Sequence, residues 1–323
     1  MSKVSTPTFF EGPEKKVELA VRDGAVDLRS LGDEFWHSVV QASNAQVLSQ
    51  LSNEHQTAYL LSESSLFVYA DHLTMITCGR TRLVNAVARI LERVPPDDIA
   101  LLVYERKNEH FPDRQPSSFY EDAQRLHGWF GGRALRFGDE HDHHVHVFYS
   151  EKPYRASAGD TTLEILMHGL SDEVAATFTG CERPEGSTIA EEIGLPKFLP
   201  DFEIDEHPFT PAGYSMNGIR GADYYTIHVT PESLGSYVSF ETNVDFRDDF
   251  SKLVRRVVDV FQPRSFDVVA FTPAGSPTGE LELDRHHCKD RVHTQAAGYE
   301  VAFWHAYLPM ERPRPPAELS LDD

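Results

Sequence analysis

The chain has 323 residues, of which 51 are acidic and 30 basic, giving a formal net charge of −21. That balance argues against nucleic-acid binding, which needs a basic stripe, and suits a cationic small molecule. No apolar run approaches the ~20 residues that cross a bilayer, the N-terminal stretch lacks the apolar core of a secretory signal, and three cysteines (Cys78, Cys181, Cys288) are too few for a disulfide framework. The expectation is a cytoplasmic protein without a membrane partner.

In chain order, KKVELAV (15–21) alternates as a strand, with Lys16 and Glu18 on one face and Val17, Leu19 and Val21 on the other. Residues 59–95 read as a strand (YLLSESSLFVYA), a second strand (HLTMITCG) and a helix stopped by Pro95. HDHHVHVF (141–148) places four histidines in six positions, with His144 and His146 on one strand face. AGDTTLEILM alternates again, aligning Asp160, Thr162 and Glu164, and SDEVAATF reads as a helix capped by Ser171 or Asp172. Residues 180–210 are rich in Pro, Gly and charge and read as a bridge between halves. Residues 224–263 repeat the strand–strand–helix plan up to Pro263, which suggests a duplicated α+β unit of antiparallel sheets with helices outside. The Pro-rich end, 309–323, reads as a disordered tail.

Single residues carry little alone. Cys78 could be a nucleophile or buried packing, and His228 in TIHVT a base or a satisfied structural histidine. Carboxylates such as Glu18, Asp160 and Glu164 usually form a solvated face. Ser64 interrupts an apolar run, but no G-x-S-x-G elbow surrounds it. The histidine run has no further ligand at a defined spacing, so a solvated strand face is expected there and no metal.

Four separated motifs change this reading: FFEGPEKKVE (9–18), LSESSLFVY with TCG (61–79), DTTLEILM (160–167), and GYSMNGIRGADYYTIHVTPE with SYVSFETN (213–243). In this order the sequence resembles the eukaryotic-type S-adenosylmethionine decarboxylases, the pyruvoyl enzymes of spermidine synthesis. The resemblance implies an α+β, four-layer αββα sandwich. It would be a single domain over 1–308, with similar halves at about 1–170 and 171–308. It also implies a self-made pyruvoyl cofactor. Ser64 Oγ attacks the Glu63 carbonyl, the resulting ester loses the Ser64 α-proton and Glu63 leaves, and hydrolysis yields a ketone. The products are chains 1–63 and 64–323. Ser215 and His228 match the processing residues, His228 as the base.

In this family the ketone forms a Schiff base with the substrate amine, CO₂ leaves, and a cysteine, here Cys78, returns the proton. The product is the aminopropyl donor for spermidine and spermine synthesis. Phe10 and Phe209 match the adenine-stacking rings and Glu232 the ribose-binding acid. Glu11 and Glu14 match acids near the reactive centre, and the backbone of Leu66 an adenine contact. Glu18, Asp160, Thr162, Glu164 and Glu241, near Phe271 and Tyr299, match the carboxylate site at which animal members bind putrescine, the candidate activator. Those members carry a Lys where this chain has Ile76. Plant members, which need no activator, place a basic residue where this chain has Lys16. The resemblance allows a monomer or a homodimer of αβ units. The alternatives are a pyruvoyl decarboxylase of ornithine or arginine and an inactive regulatory paralogue.

Overall fold

Period-2 alternation builds the molecule. A computed structural model describes residues 9–179, 188–197, 199–232, 235–276 and 278–309. Residues 310–323 of the expected tail and Cys181 lie outside these residues. Eight strands form the first sheet: β1 (Lys15–Val21), β2 (Val47–Ser52), β3 (Thr57–Leu61), β4 (Ser64–Val68), β5 (His72–Thr77), β6 (Ile99–Lys107), β7 (Arg133–Gly138) and β8 (His144–Tyr149). Eight more form the second: β9 (Thr162–His168), β10 (Glu203–Pro208), β11 (Tyr214–Arg220), β12 (Asp223–Thr230), β13 (Tyr237–Thr242), β14 (Ser265–Pro273), β15 (His287–Ala296) and β16 (Tyr299–Tyr307). The spatial orders are β2-β3-β4-β5-β1-β6-β8-β7 and β10-β11-β12-β13-β9-β14-β16-β15. Adding eight to every number of the first order gives the second, so each half repeats one antiparallel topology.

Helices cover the outer faces. In the first half α1 (Asp33–Ala42), α2 (Leu83–Ile90) and α3 (Phe119–Phe130) pack their apolar sides on Val17, Leu19, Leu66 and Met75. Ser118 caps α3 in a capping box with Glu121. In the second half come α4 (Asp172–Thr177), capped by Ser171, α5 (Ile189–Glu192) and α6 (Phe250–Phe261). Val254, Val257 and Phe261 of α6 share a core with Leu163, Ile165 and Met167 of β9. A third core between the sheets joins Leu101, Val103 and Val147 to Leu166, Val269 and Phe303. The layers are therefore helix, sheet, sheet, helix. Among the described residues no helix is long and apolar enough to cross a membrane.

Three expectations change. The boundary between halves lies between β8 and β9, not at 170/171, because β9 pairs with β13 and β14 of the second sheet and occupies the place that β1 holds in the first. The described part of residues 180–210 is not a bridge between halves, since it carries α5 and β10 and lies within the second half. YLLSESSLFVYA is a hairpin rather than one strand. Leu61 pairs with Ser64, and the polar residues Ser62 and Glu63 make the turn.

Candidate active site

The turn between β3 and β4 sets the centre. Ser64 is buried, and its φ of +139° lies in a region that L residues rarely occupy. Such a conformation costs about 1–3 kcal/mol and persists only where surrounding structure imposes it. The Ser64 Oγ is buried without a hydrogen-bond partner. The carbonyl immediately before it is held on two sides. Glu63 O accepts from Cys78 N at 2.9 Å and from Cys78 Sγ at 3.2 Å. This follows from register, since Ser64 pairs with Thr77 and Cys78 follows directly. The Glu63 carboxyl, bonded to the Ser62 hydroxyl, is raised by burial.

Behind the turn stands a polar relay from the second sheet. Ser215 on β11 and His228 on β12 are register partners, and His228 Nδ1 lies 2.9 Å from Ser215 Oγ. His228 Nε2 lies 2.7 Å from Thr226 Oγ1 and 3.1 Å from Ser65 Oγ. Ser65 Oγ also donates to Asn217 Oδ1 at 2.6 Å. The structure thus joins His228 to Ser65, the neighbour of Ser64, rather than to the Ser64 hydroxyl. Burial lowers the His228 pKa to about 3, which keeps the ring neutral. Ser65, Asn217 and Thr226 were missed in the sequence. Their signal was the same alternation that aligns Ser215 with Asn217 and Thr226 with His228.

Around Cys78 the charges are unequal. Burial, reinforced by Glu14 and Glu63, raises its pKa well above the ordinary thiol value, so it is a protonated thiol at neutral pH. Burial raises Glu14 to about 7 against a 2.7 Å bond from Ser239 Oγ. Burial also opposes ionisation of Glu11, yet hydrogen bonds hold it below its usual value. They come from His110 N (2.8 Å), from Phe111 N (2.9 Å) and from the His110 ring. Lys15 was not foreseen. Its Nζ donates to Gly79 O at 3.1 Å, and burial, with the charge of Arg106 adding, pulls it down to about 8.

Phe10 is 39 % exposed, and its backbone N–H donates to Glu232 Oε1 at 3.1 Å. Its ring lies over Gly79 (φ +62°), where an added Cβ would stand 3.0 Å from ring carbons. Phe10 thereby links Glu232 to Gly79, the residue after Cys78. Phe209 follows β10, packs on His207 and bonds through its backbone to Gly213. The Leu66 side chain lies in the helix-side core, and its backbone is flanked by Tyr59 of β3 and Met75 of β5.

Of the carboxylates expected on a solvated face, Glu164 is instead buried between the sheets, and Glu18 and Asp160 are half-buried. Lys16 Nζ meets Glu164 at 2.6 Å, Glu18 at 2.8 Å, Glu105 at 3.3 Å and Glu241 at 3.4 Å. It also stands 5.6 Å above the Phe271 ring. Lys107 adds a 2.5 Å pair to Glu164 and a 3.3 Å pair to Glu105. Burial alone would neutralise Glu164, but Lys107 and Lys16 hold it ionised below its usual range. Burial raises Glu105 and Glu241, the latter with Tyr224 donating to it at 2.6 Å. Lys16 is held charged, well above its ordinary value, by the surrounding acids in spite of burial. Thr162 bonds Glu18 at 3.4 Å, and Asp160 accepts from Tyr299 at 2.7 Å and Tyr154 at 3.1 Å. Ile76 is buried on β5, opposite Lys16 in register. Lys107 and Glu105 escaped notice because YERK at a strand end has the composition of a surface strand.

The sequence pattern of adenosylmethionine decarboxylase matches residues 7–306. The S-adenosylmethionine decarboxylase proenzyme of Dictyostelium discoideum is 34 % identical over 319 residues, covering 90 % of this chain and 84 % of the relative. That of Trypanosoma cruzi is 36 % identical over 294 residues (84 % and 78 %), and that of Oryza sativa subsp. japonica 34 % over 318 (88 % and 78 %). The crystal structure of the Trypanosoma brucei AdoMetDC-delta26 monomer superposes with a TM-score of 0.61 at 26 % identity, covering 76 % of this chain and 99 % of that one. With the sandwich and the site geometry, these likenesses place the chain in the adenosylmethionine decarboxylase family.

Proposed function

We propose that the chain is a self-processing decarboxylase of S-adenosylmethionine that makes its own pyruvoyl group from Ser64. The observation that carries this is the Glu63–Ser64 bond. A strained serine with a free, buried hydroxyl follows a carbonyl already polarised by two donors from Cys78. Attack of Ser64 Oγ on the Glu63 carbon forms the C–O bond, breaks the C–N bond and relieves the strain at Ser64. The developing oxyanion stays within reach of Cys78 N–H and Sγ–H. His228, neutral and tied to Ser215 and to Ser65 beside Ser64, is the base assigned to the Ser64 α-proton.

A ketone at position 64 supplies an electron sink for the carbanion left when CO₂ departs. The chain's own residues do the rest. Phe10 offers a ring face to an adenine and Glu232 a carboxylate to a sugar hydroxyl. Cys78, held as a thiol, carries a proton to the carbanion. The carboxylates of Glu11 and Glu14 complement a sulfonium substrate.

Lys16 takes the place of an activating diamine. Its ammonium already neutralises the acids that a dication would meet, while Glu18 and Asp160 remain at an open cavity of about 570 Å³. Release of CO₂ from carboxyl-labelled S-adenosylmethionine, ornithine and arginine tests the reading. Turnover of the first alone is expected. Turnover of ornithine or arginine at a comparable rate, or none with any substrate, overturns it.

A further inference from the structure

The histidine run gains partners that no local spacing showed. Asp267 on β14 and His305 on β16 are register partners, and His168 on β9 is the partner of Ser265, two residues from Asp267. All three side chains therefore share the face of the second sheet that looks at the first. The β7–β8 connection of the first half brings His143 onto them. His143 Nδ1 lies 3.0 Å from Asp267 Oδ2, and His305 Nδ1 lies 2.7 Å from Asp267 Oδ1. His168 Nε2 stands 3.7 Å from the same Oδ2 as His143. The imidazoles of His143 and His305 stack at 4.4 Å with 21° between planes, and that of His168 meets His143 edge-on at 4.3 Å.

We propose that His143, His168, His305 and Asp267 form a site for a first-row divalent transition metal, Zn²⁺ or a close analogue, bridging the two sheets. The ligand atoms of His143, His168 and Asp267 lie within 4.8 Å of one another, and His305 Nδ1 reaches the other Asp267 oxygen at 2.7 Å. Bonds of about 2.0–2.2 Å place the donors of one tetrahedral ion some 3–4 Å apart, so modest side-chain rotation closes the set. Three imidazoles and one carboxylate suit Zn²⁺, Co²⁺ or Ni²⁺ and not Ca²⁺ or Mg²⁺, which take oxygen ligands. Asp142 is not counted, because Lys289 pairs with it. Neutral imidazoles bind without net proton loss, since the proton on the ligating nitrogen moves to the other one. Asp267 side-chain exposure is 2 % and that of His305 5 %, whereas His143 and His168 reach 20 % and 14 % and form the rim by which an ion enters. His144 and His146 have rings 4.8 Å apart on β8 and are the natural competing pair.

The test uses full-length, tag-free protein freed of metal by a chelator and then titrated with Co²⁺. Expected are one Co²⁺ per chain, visible bands of a four-coordinate nitrogen–oxygen site, and displacement by Zn²⁺. His143→Gln and His168→Gln should each weaken binding about ten-fold or more, and the His144→Gln/His146→Gln variant should not. Paramagnetically shifted imidazole N–H resonances of the wild-type Co²⁺ protein give a readout independent of variants, with three expected. No Co²⁺ bound after dialysis, a thiolate-to-metal band, fewer than three shifted resonances, or loss confined to the His144/His146 variant would overturn the proposal.

Discussion

Replacing Lys16 by Met leaves the shape of the side chain and deletes the charge that four buried carboxylates share. Lys107 remains, but it reaches only Glu164 and Glu105 among them. Removing one partner of a buried ionic cluster costs about 3–5 kcal/mol, because the other charges stay desolvated and unpaired. For a chain of this size that corresponds to a melting point lower by roughly 4–8 °C.

The deficit has a pH signature. Lys16 titrates above its ordinary value, so its contribution is complete below that value and is lost only as pH rises through the raised one. Without it Glu105 and Glu241, already raised by burial, shift further upward. A carboxylate with a raised folded pKa loses stability as pH climbs, so Lys16→Met should fall further behind wild type at pH 8 than at pH 6. Calorimetry at both pH values measures this. Decarboxylation assayed with and without putrescine completes the test. Wild type should respond by less than two-fold, and the variant should recover both rate and melting point with the added dication. A variant melting within 2 °C of wild type at pH 8, or a several-fold putrescine stimulation of wild type, would refute the account of this cluster.

Three further outcomes follow from the centre itself. Cys78→Ala keeps the backbone N–H on the Glu63 carbonyl, so mass spectrometry should still find cleavage while turnover of the cleaved protein drops about 10²- to 10⁴-fold. His228→Gln should remain a single chain, and because burial holds His228 at about 3, the wild-type cleavage rate, followed by gel, should show no titration step near pH 6.5. Phe10→Ala should raise KM for S-adenosylmethionine roughly 5- to 150-fold, the range of about 1–3 kcal/mol for one stacked base, with cleavage unchanged.

Much of the architecture was legible because alternation is a local signal. It placed Val17 and Leu19 opposite Lys16 and Glu18, and the repeated strand–strand–helix plan announced the duplication. The boundary between halves was not legible, because β9 follows the first half in sequence yet pairs only with β13 and β14. Burial of Glu164 was not legible from the strand pattern for a related reason. A polar strand face is solvated when one sheet stands alone, and here a second sheet covers it. The ESS turn, Cys78, Ser215 and His228 were legible only through resemblance. Their spacing spans both halves, and no periodicity links Ser65 to His228 across the interface. The histidine run had the opposite fate. His143 drew attention by composition, but its partners Asp267, His168 and His305 come from three separate strands.

The most direct test of the central claim is the intact mass of freshly purified protein under denaturing conditions. The account predicts two fragments that meet between Glu63 and Ser64, the larger beginning in a ketone that reacts with hydroxylamine or is reduced by borohydride. A single uncleaved chain of 36.5 kDa that persists for days would contradict it.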